Sequence, residues 1–202
     1  MNRHPLAEWL AWGISLLLHP LFVPFYAVLL FFYASPYYFY DSVKILRLIF
    51  IQAILIPVMV VYLLYQLKIL QSFFLRTTRA RVYLSIFLAV IYYILYRSVR
   101  GVATLEEVGL FFLGISVALL MAASLNAFRI KISLHLLALG GVTFFFLYWS
   151  MLHGIPMLDI FGWLVFLTGM VAAARYYLQA HTLMELWLGW LLGCLGMWWA
   201  LA

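Results

Sequence analysis

Apolar residues in this chain do not alternate with polar ones; they run on in stretches of 15 or more, separated by short polar tracts. A bilayer core about 30 Å thick takes roughly 20 apolar residues as a helix. Six stretches free of Asp, Glu, Lys and Arg, and a seventh broken only by Glu185, predict membrane segments: within 9–40, at 48–67, 82–96 and 108–128, within 132–158, at 160–174, and at about 181–202. The two shorter ones, 82–96 and 160–174, span if flanking arginines reach for the headgroups. Period-two alternation is absent, so a barrel has no support, and lipid-exposed backbone must bond within its own segment, which leaves helices. No polar tract is long enough for a second domain. The expectation is one all-α domain over 1–202, a polytopic membrane helix bundle of about six or seven transmembrane helices.

Composition agrees with the pattern. Charged residues make up 9% of the chain and apolar ones 69%, with a mean hydropathy of +1.13, whereas a soluble domain carries about 25% charge. The lone Cys194 excludes an intramolecular disulfide. The net charge of +6 points to lipid headgroups or topology signals; aromatic, apolar surroundings argue against nucleic acid. Arg3 and His4 precede Glu8 and a run too long for a cleavable signal core, so a retained first segment is expected.

Threading the segments back and forth puts Arg3, Lys68, Arg76, Arg79, Arg81, Arg129, Lys131 and Arg175 on one side, and Lys44, Arg47, Arg97 and Arg100 on the other. Counted plainly, the first side is cytoplasmic. With the cations suited to a binding site set aside, the count no longer decides orientation.

Three polar clusters fall on that first side. Leu75–Arg81 holds three arginines, which read equally well as an interfacial anchor. Lys131, Ser133 and His135 open the fifth segment, where a lone histidine is more often a structural hydrogen bonder than a catalyst. Arg175, His181 and Glu185 open the seventh. His181 and Glu185 are four residues apart, hence on one helical face. A carboxylate there accepts the proton of one imidazole nitrogen and leaves the other as a nucleophile; the plainer reading is an interfacial pair capping a helix. Together the clusters offer cations for a phosphate, a nucleophile and a proton donor.

These residues resemble the type 2 phosphatidic acid phosphatase superfamily. Ala174-Arg175, five residues, His181, three residues and Glu185 match the spacing of its third motif, with Glu185 where the family has Asp. Lys131-Ile-Ser133-Leu-His135, followed by Gly140-Gly141, is similar to the second motif in a bacterial membrane subgroup. Arg76-Thr-Thr-Arg79 looks like a degenerate first motif, lacking its proline. Gly189 and Gly193 fall where the family packs its last helix with small residues. His19-Pro20 also looks subgroup-like; it is read as a kink, Pro20 and Pro24 freeing backbone carbonyls, without chemistry.

The resemblance implies a membrane lipid phosphate phosphatase in which His181 is the nucleophile, Glu185 orients it and His135 protonates the leaving group. Arg175, Lys131, Ser133 and one or two of Arg76, Arg79 and Arg81 would hold the phosphate. It implies no metal and no cofactor. It also implies a bacterial inner membrane, with the site facing the periplasm or exterior. The substitution by Glu185 predicts a looser pairing or a helix that backs away. A lipid phosphotransferase and a non-catalytic lipid-phosphate binding or transport protein fit the same residues. A haem carrier ligated by His19, His135, His153 or His181 is the reading from another class. Substrate identity and oligomeric state are open.

Overall fold

In the computed structural model the described residues, 5–35, 42–68, 78–102 and 105–202, form an all-α helical bundle. The side chains of residues 42, 64, 78 and 79 are outside the description. The helices are α1 (Pro5–Leu17), α2 (Val23–Ala34), α3 (Ser42–Phe50), α4 (Ile56–Gln66), α5 (Thr78–Val99), α6 (Glu106–Ala127), α7 (Leu134–His153), α8 (Leu158–Tyr177) and α9 (Leu183–Leu201). A π-helical turn, Ile51–Leu55, joins α3 to α4 just before Pro57, which has no N–H to give a regular turn.

Six rods among the described residues are long and apolar enough to cross a membrane: Val43–Leu63, Ala80–Val99, Glu106–Ala127, Leu134–His153, Leu158–Tyr177 and Leu183–Leu201. The short predicted segments 82–96 and 160–174 are extended by their polar flanks, so Arg81 and Arg97 belong to α5 and Asp159 and Arg175 to α8. The first predicted segment is different. It is broken into α1 and α2, of 13 and 12 residues, because Pro20 cannot donate into the helix that α1 begins.

The core is one continuous apolar cluster running from Val23 to Leu201, with α6 and α7 its most enclosed helices. Phe111 and Phe145 join α6 to α7 with ring centroids 4.9 Å apart, and Phe31 brings α2 against Phe145 at 5.9 Å. Tyr92 of α5 stacks on Phe112 of α6. The α7–α9 contact depends on the absence of side chains. A methyl carbon at Gly189 would lie 2.5 Å from the Ser133 carbonyl oxygen, and at Gly140 or Gly193 it would overlap the backbone of Trp190 or Leu137. This close approach holds the start of α9, with His181 and Glu185, against the start of α7, with Ser133 and His135.

At the opposite end of the bundle His153, closing α7, meets Glu107 of α6 at 2.6 Å. α8 is peripheral, packing on α1 and α7 and touching α9 little, with Trp163, Val165 and Phe166 turned outward. The gap that this leaves between α1, α8 and the start of α9 is the cleft described next.

Candidate functional site

Helix α9 begins at a capping box. The Thr182 hydroxyl accepts from the Glu185 backbone N–H at 3.3 Å, and Glu185 Oε2 accepts from the Thr182 N–H at 3.3 Å. The same Oε2 accepts from His181 Nδ1 at 2.9 Å. A carboxylate oxygen can only accept, so Nδ1 carries the ring proton and Nε2 keeps its lone pair. Of the two outcomes expected of Glu185, a looser pairing or a helix that backs away, the 2.9 Å bond excludes the first. One carboxylate serves both the helix end and the histidine.

Lys131 braces this dyad. Its Nζ donates to the Ala180 carbonyl oxygen and lies 3.8 Å from Glu185 Oε2. Two left-handed residues make the approach possible. Arg129 (φ 65°) ends α6 and turns the chain towards Lys131, and Gln179 (φ 52°) ends α8, where the Ala180 N–H closes a bond back to the Arg175 carbonyl. Ser133 donates its backbone N–H to the Glu185 carbonyl oxygen at 3.3 Å. Its hydroxyl is fully buried with no partner in the protein, and Arg175 Nε is likewise buried and unpaired. A buried donor without a partner costs about 1–3 kcal/mol, so both are places where an anionic oxygen would be favoured.

His135 is buried, and its Nε2 donates to the Ser15 carbonyl oxygen at 3.1 Å. Sequence reasoning missed this partner, which lies 120 residues away. Ser15 has a free carbonyl because of Pro20. Lacking its N–H, Pro20 leaves the Leu16 carbonyl open, the His19 N–H goes to Leu16 at 3.3 Å instead of reaching Ser15, and the Ser15 oxygen is released. The kink expected at His19-Pro20 is present, and it also shapes the site. The His19 ring stands edge-on to the His135 ring, with centroids 5.4 Å apart.

Arg175 interacts electrostatically with His19, His135, His181, Lys131 and Arg81, while Glu185 acts on Arg81 and Lys131. The second and third clusters therefore meet at one end of the bundle, and Arg81 of the first joins them. Arg76 lies outside the described residues; Arg79 is placed on the first turn of α5 by its backbone. Lys68 is exposed at the end of α4. Burial, then Lys131 and then Arg175, hold the His181 imidazole below its ordinary 6.5, at about 4, against the opposing hydrogen bond to Glu185. His181 is thus neutral at pH 7. Lys131 is drawn down from its ordinary value by burial first, with Glu185 opposing and Arg81 and Arg175 reinforcing.

A cleft of about 1170 Å³ opens beside the dyad. His181, Glu185 and Lys131 line its polar end, and Leu10, Ala11 and Ile14 of α1 with Met170 and Ala173 of α8 line its apolar walls. Ser133, His135 and Arg175 do not line it. Among the described residues no three His, Cys, Asp or Glu side chains gather as a metal-holding group. Comparison of the chain with protein-family models, with curated proteins and with solved structures gives no match.

Proposed function

We propose that this protein is a membrane-embedded, metal-independent phosphatase of lipid phosphates, of the type 2 phosphatidic acid phosphatase kind, acting through a phosphohistidine. One observation carries the reading. Glu185 fixes the His181 proton on Nδ1, leaving a neutral, bare Nε2 within a cationic set of Lys131, Arg175 and Arg81. A nucleophile in that state attacks phosphorus without first losing a proton, and cations preorganised in a poorly hydrated site are worth most as phosphoryl charge develops.

In the proposed cycle His181 Nε2 bonds to phosphorus as the ester P–O bond breaks, and Glu185 stabilises the ring as it becomes cationic. His135, its Nε2–H held by Ser15, takes a proton on Nδ1 from the incoming phosphate monoanion and gives it to the leaving alkoxide. Neutral His135 then takes a proton from water as water attacks the phosphohistidine, and passes it to the departing phosphate. Inorganic phosphate leaves, His181 returns to its starting state, and a phosphate ester plus water has become an alcohol plus phosphate. The Ser133 hydroxyl and Arg175 Nε would receive phosphate oxygens. The apolar cleft walls suit a substrate whose tail stays in hydrocarbon, such as phosphatidic acid or a polyprenyl pyrophosphate.

The test is phosphate release from several such lipids by protein in detergent with a chelator present, comparing wild type with His181→Ala. Release that vanishes in the variant is expected, and equal release by both removes His181 from the reaction. Binding without turnover would leave a lipid-phosphate carrier, and transfer to an added alcohol a phosphotransferase. We place the site on the outer face of a bacterial inner membrane. An impermeant thiol reagent should then label Gln179→Cys in intact cells in a Cys194→Ala background; labelling only after lysis would reverse the orientation.

A further inference from the structure

The break between α1 and α2 carries a third imidazole into this site, and its protonation state is fixed by the backbone. The Leu21 N–H donates to His19 Nδ1 at 3.3 Å, so Nδ1 holds a lone pair and the neutral ring carries its proton on Nε2. Along α1 the cleft-lining residues end at Ile14, the next carbonyl, of Ser15, holds His135, and His19 follows one turn later. Its ring is edge-on to His135 at 5.4 Å and within electrostatic reach of Arg175. His135 cannot present its own Nε2–H to an anion, because that proton is already given to Ser15. His19 Nε2–H has no such commitment to the backbone.

We propose that His19 is a phosphate-contacting residue whose Nε2–H donates a hydrogen bond to an oxygen of the anion held between Arg175 and His135. The inference rests on the phosphate-site reading above. His19 acts as a neutral donor and not as a general acid, since Nδ1, occupied by the Leu21 N–H, cannot take up a proton as Nε2 gives one away. The cost of Pro20 in the first membrane segment thereby yields two groups for the site, the Ser15 acceptor and the His19 donor.

Two substitutions separate this role from a purely structural one. His19→Asn keeps an acceptor where Nδ1 stands, able to hold the Leu21 N–H, but has nothing at the position of Nε2. His19→Gln keeps a donor near Nε2 and loses the acceptor. Orthovanadate, which adopts the five-coordinate geometry of phosphoryl transfer, is titrated calorimetrically into each purified protein in detergent, with a thermal melt to check folding. The expected result is about tenfold weaker binding by His19→Asn with an unchanged melt, and binding within about twofold of wild type by His19→Gln. Wild-type affinity in His19→Asn, or rescue by Asn and loss with Gln, overturns the proposal and leaves the phosphate site standing. If wild type binds no orthovanadate, the phosphate-site reading falls and His19 with it. In ¹⁵N-histidine-labelled wild type the protonated His19 Nε2 resonance should shift on adding orthovanadate; an unmoved resonance at saturation also overturns the contact.

Discussion

Glu185 Oε2 accepts the His181 Nδ1 proton at 2.9 Å and the Thr182 backbone N–H at 3.3 Å, so one oxygen both ends a helix and sets a tautomer. The two tasks separate under substitution. Glu185→Gln keeps a side-chain oxygen of the same reach but removes the charge that stabilises the phosphorylated ring. We expect kcat to fall by roughly 10²–10⁴-fold, as when an orienting carboxylate becomes an amide, with little change in melting temperature. Glu185→Ala should lose the cap as well, at about 1 kcal/mol. Phosphate release and thermal melts report the two separately, and full activity in Glu185→Gln would remove the dyad from the mechanism.

The burial and cationic neighbours of His181 set a pH dependence. The folded imidazole is held at about 4, below its ordinary 6.5, so the nucleophile stays deprotonated well into acid. The acid limb of kcat/KM should therefore fall below pH 6.5. Lys131→Met removes a cation that disfavours the imidazolium, and the limb should move to higher pH. Stability follows the same sign. Between about 4 and 6.5 the unfolded chain binds the extra proton, so this contribution is complete above 6.5 and lost as pH falls through about 4. A pH–rate profile whose acid limb does not move in Lys131→Met would contradict the assignment.

Pro20→Ala tests the chain of displaced hydrogen bonds. With an N–H at position 20 the Leu16 carbonyl gains its regular donor, the His19 N–H can return to Ser15, and His135 loses its acceptor. Removing a proline from a helical path should not lower stability. Activity should drop by about tenfold, the scale of one hydrogen bond, while melting temperature holds or rises. Unchanged kcat with α1 lengthened, seen by hydrogen exchange at residues 19–22, would show that Ser15 does not matter to His135.

Much of this arrangement was legible in the sequence, and its gaps have physical causes. The lengths of the apolar runs specify six of the seven expected spans, since bilayer thickness leaves little choice, whereas the first run, 9–40, gives two short helices. The His181–Glu185 pairing follows from a spacing of four, and the Thr182–Glu185 capping box was equally readable from Thr-x-x-Glu. Helix parity puts the clusters at one end. What spacing does not contain is the partner of His135, because the Ser15 carbonyl is a backbone group freed by a proline five positions on. Nor does it contain the bond from Lys131 to Ala180, which needs the left-handed turn at Gln179, a residue with no intrinsic preference for it. Arg76 falls outside the described residues, so the arginine cluster is represented here by Arg81.

The glycines of α7 and α9 should be far less replaceable than those of α8. A methyl group at Gly193 would overlap the Leu137 carbonyl, whereas at Gly162 and Gly169 nothing lies within 4 Å. Gly193→Ala must push α9 from α7, at about 1–3 kcal/mol, and should reduce activity because that contact sets His181 against His135. Gly162→Ala and Gly169→Ala should be neutral or stabilising by up to about 1 kcal/mol from helix propensity. Thermal melts in one detergent give the comparison, and equal effects at Gly193 and Gly169 would mean that the close approach of α7 and α9 is not real.

The wall of the cleft and its polar end can be perturbed independently. Ala173 of α8 lines the apolar part, and Ala173→Trp narrows the space for a lipid tail without touching Lys131, His181 or Glu185. A long-chain phosphate should suffer a rise in KM of about tenfold or more, since each buried methylene is worth about 0.8 kcal/mol. A short soluble aryl phosphate has no tail to place and should be turned over as before. The contrast between the two substrates is the measurement. Equal losses on both would mean that the bulky indole disturbs the dyad itself, and no loss on either would put the tail elsewhere, leaving the cleft with no part in choosing the substrate.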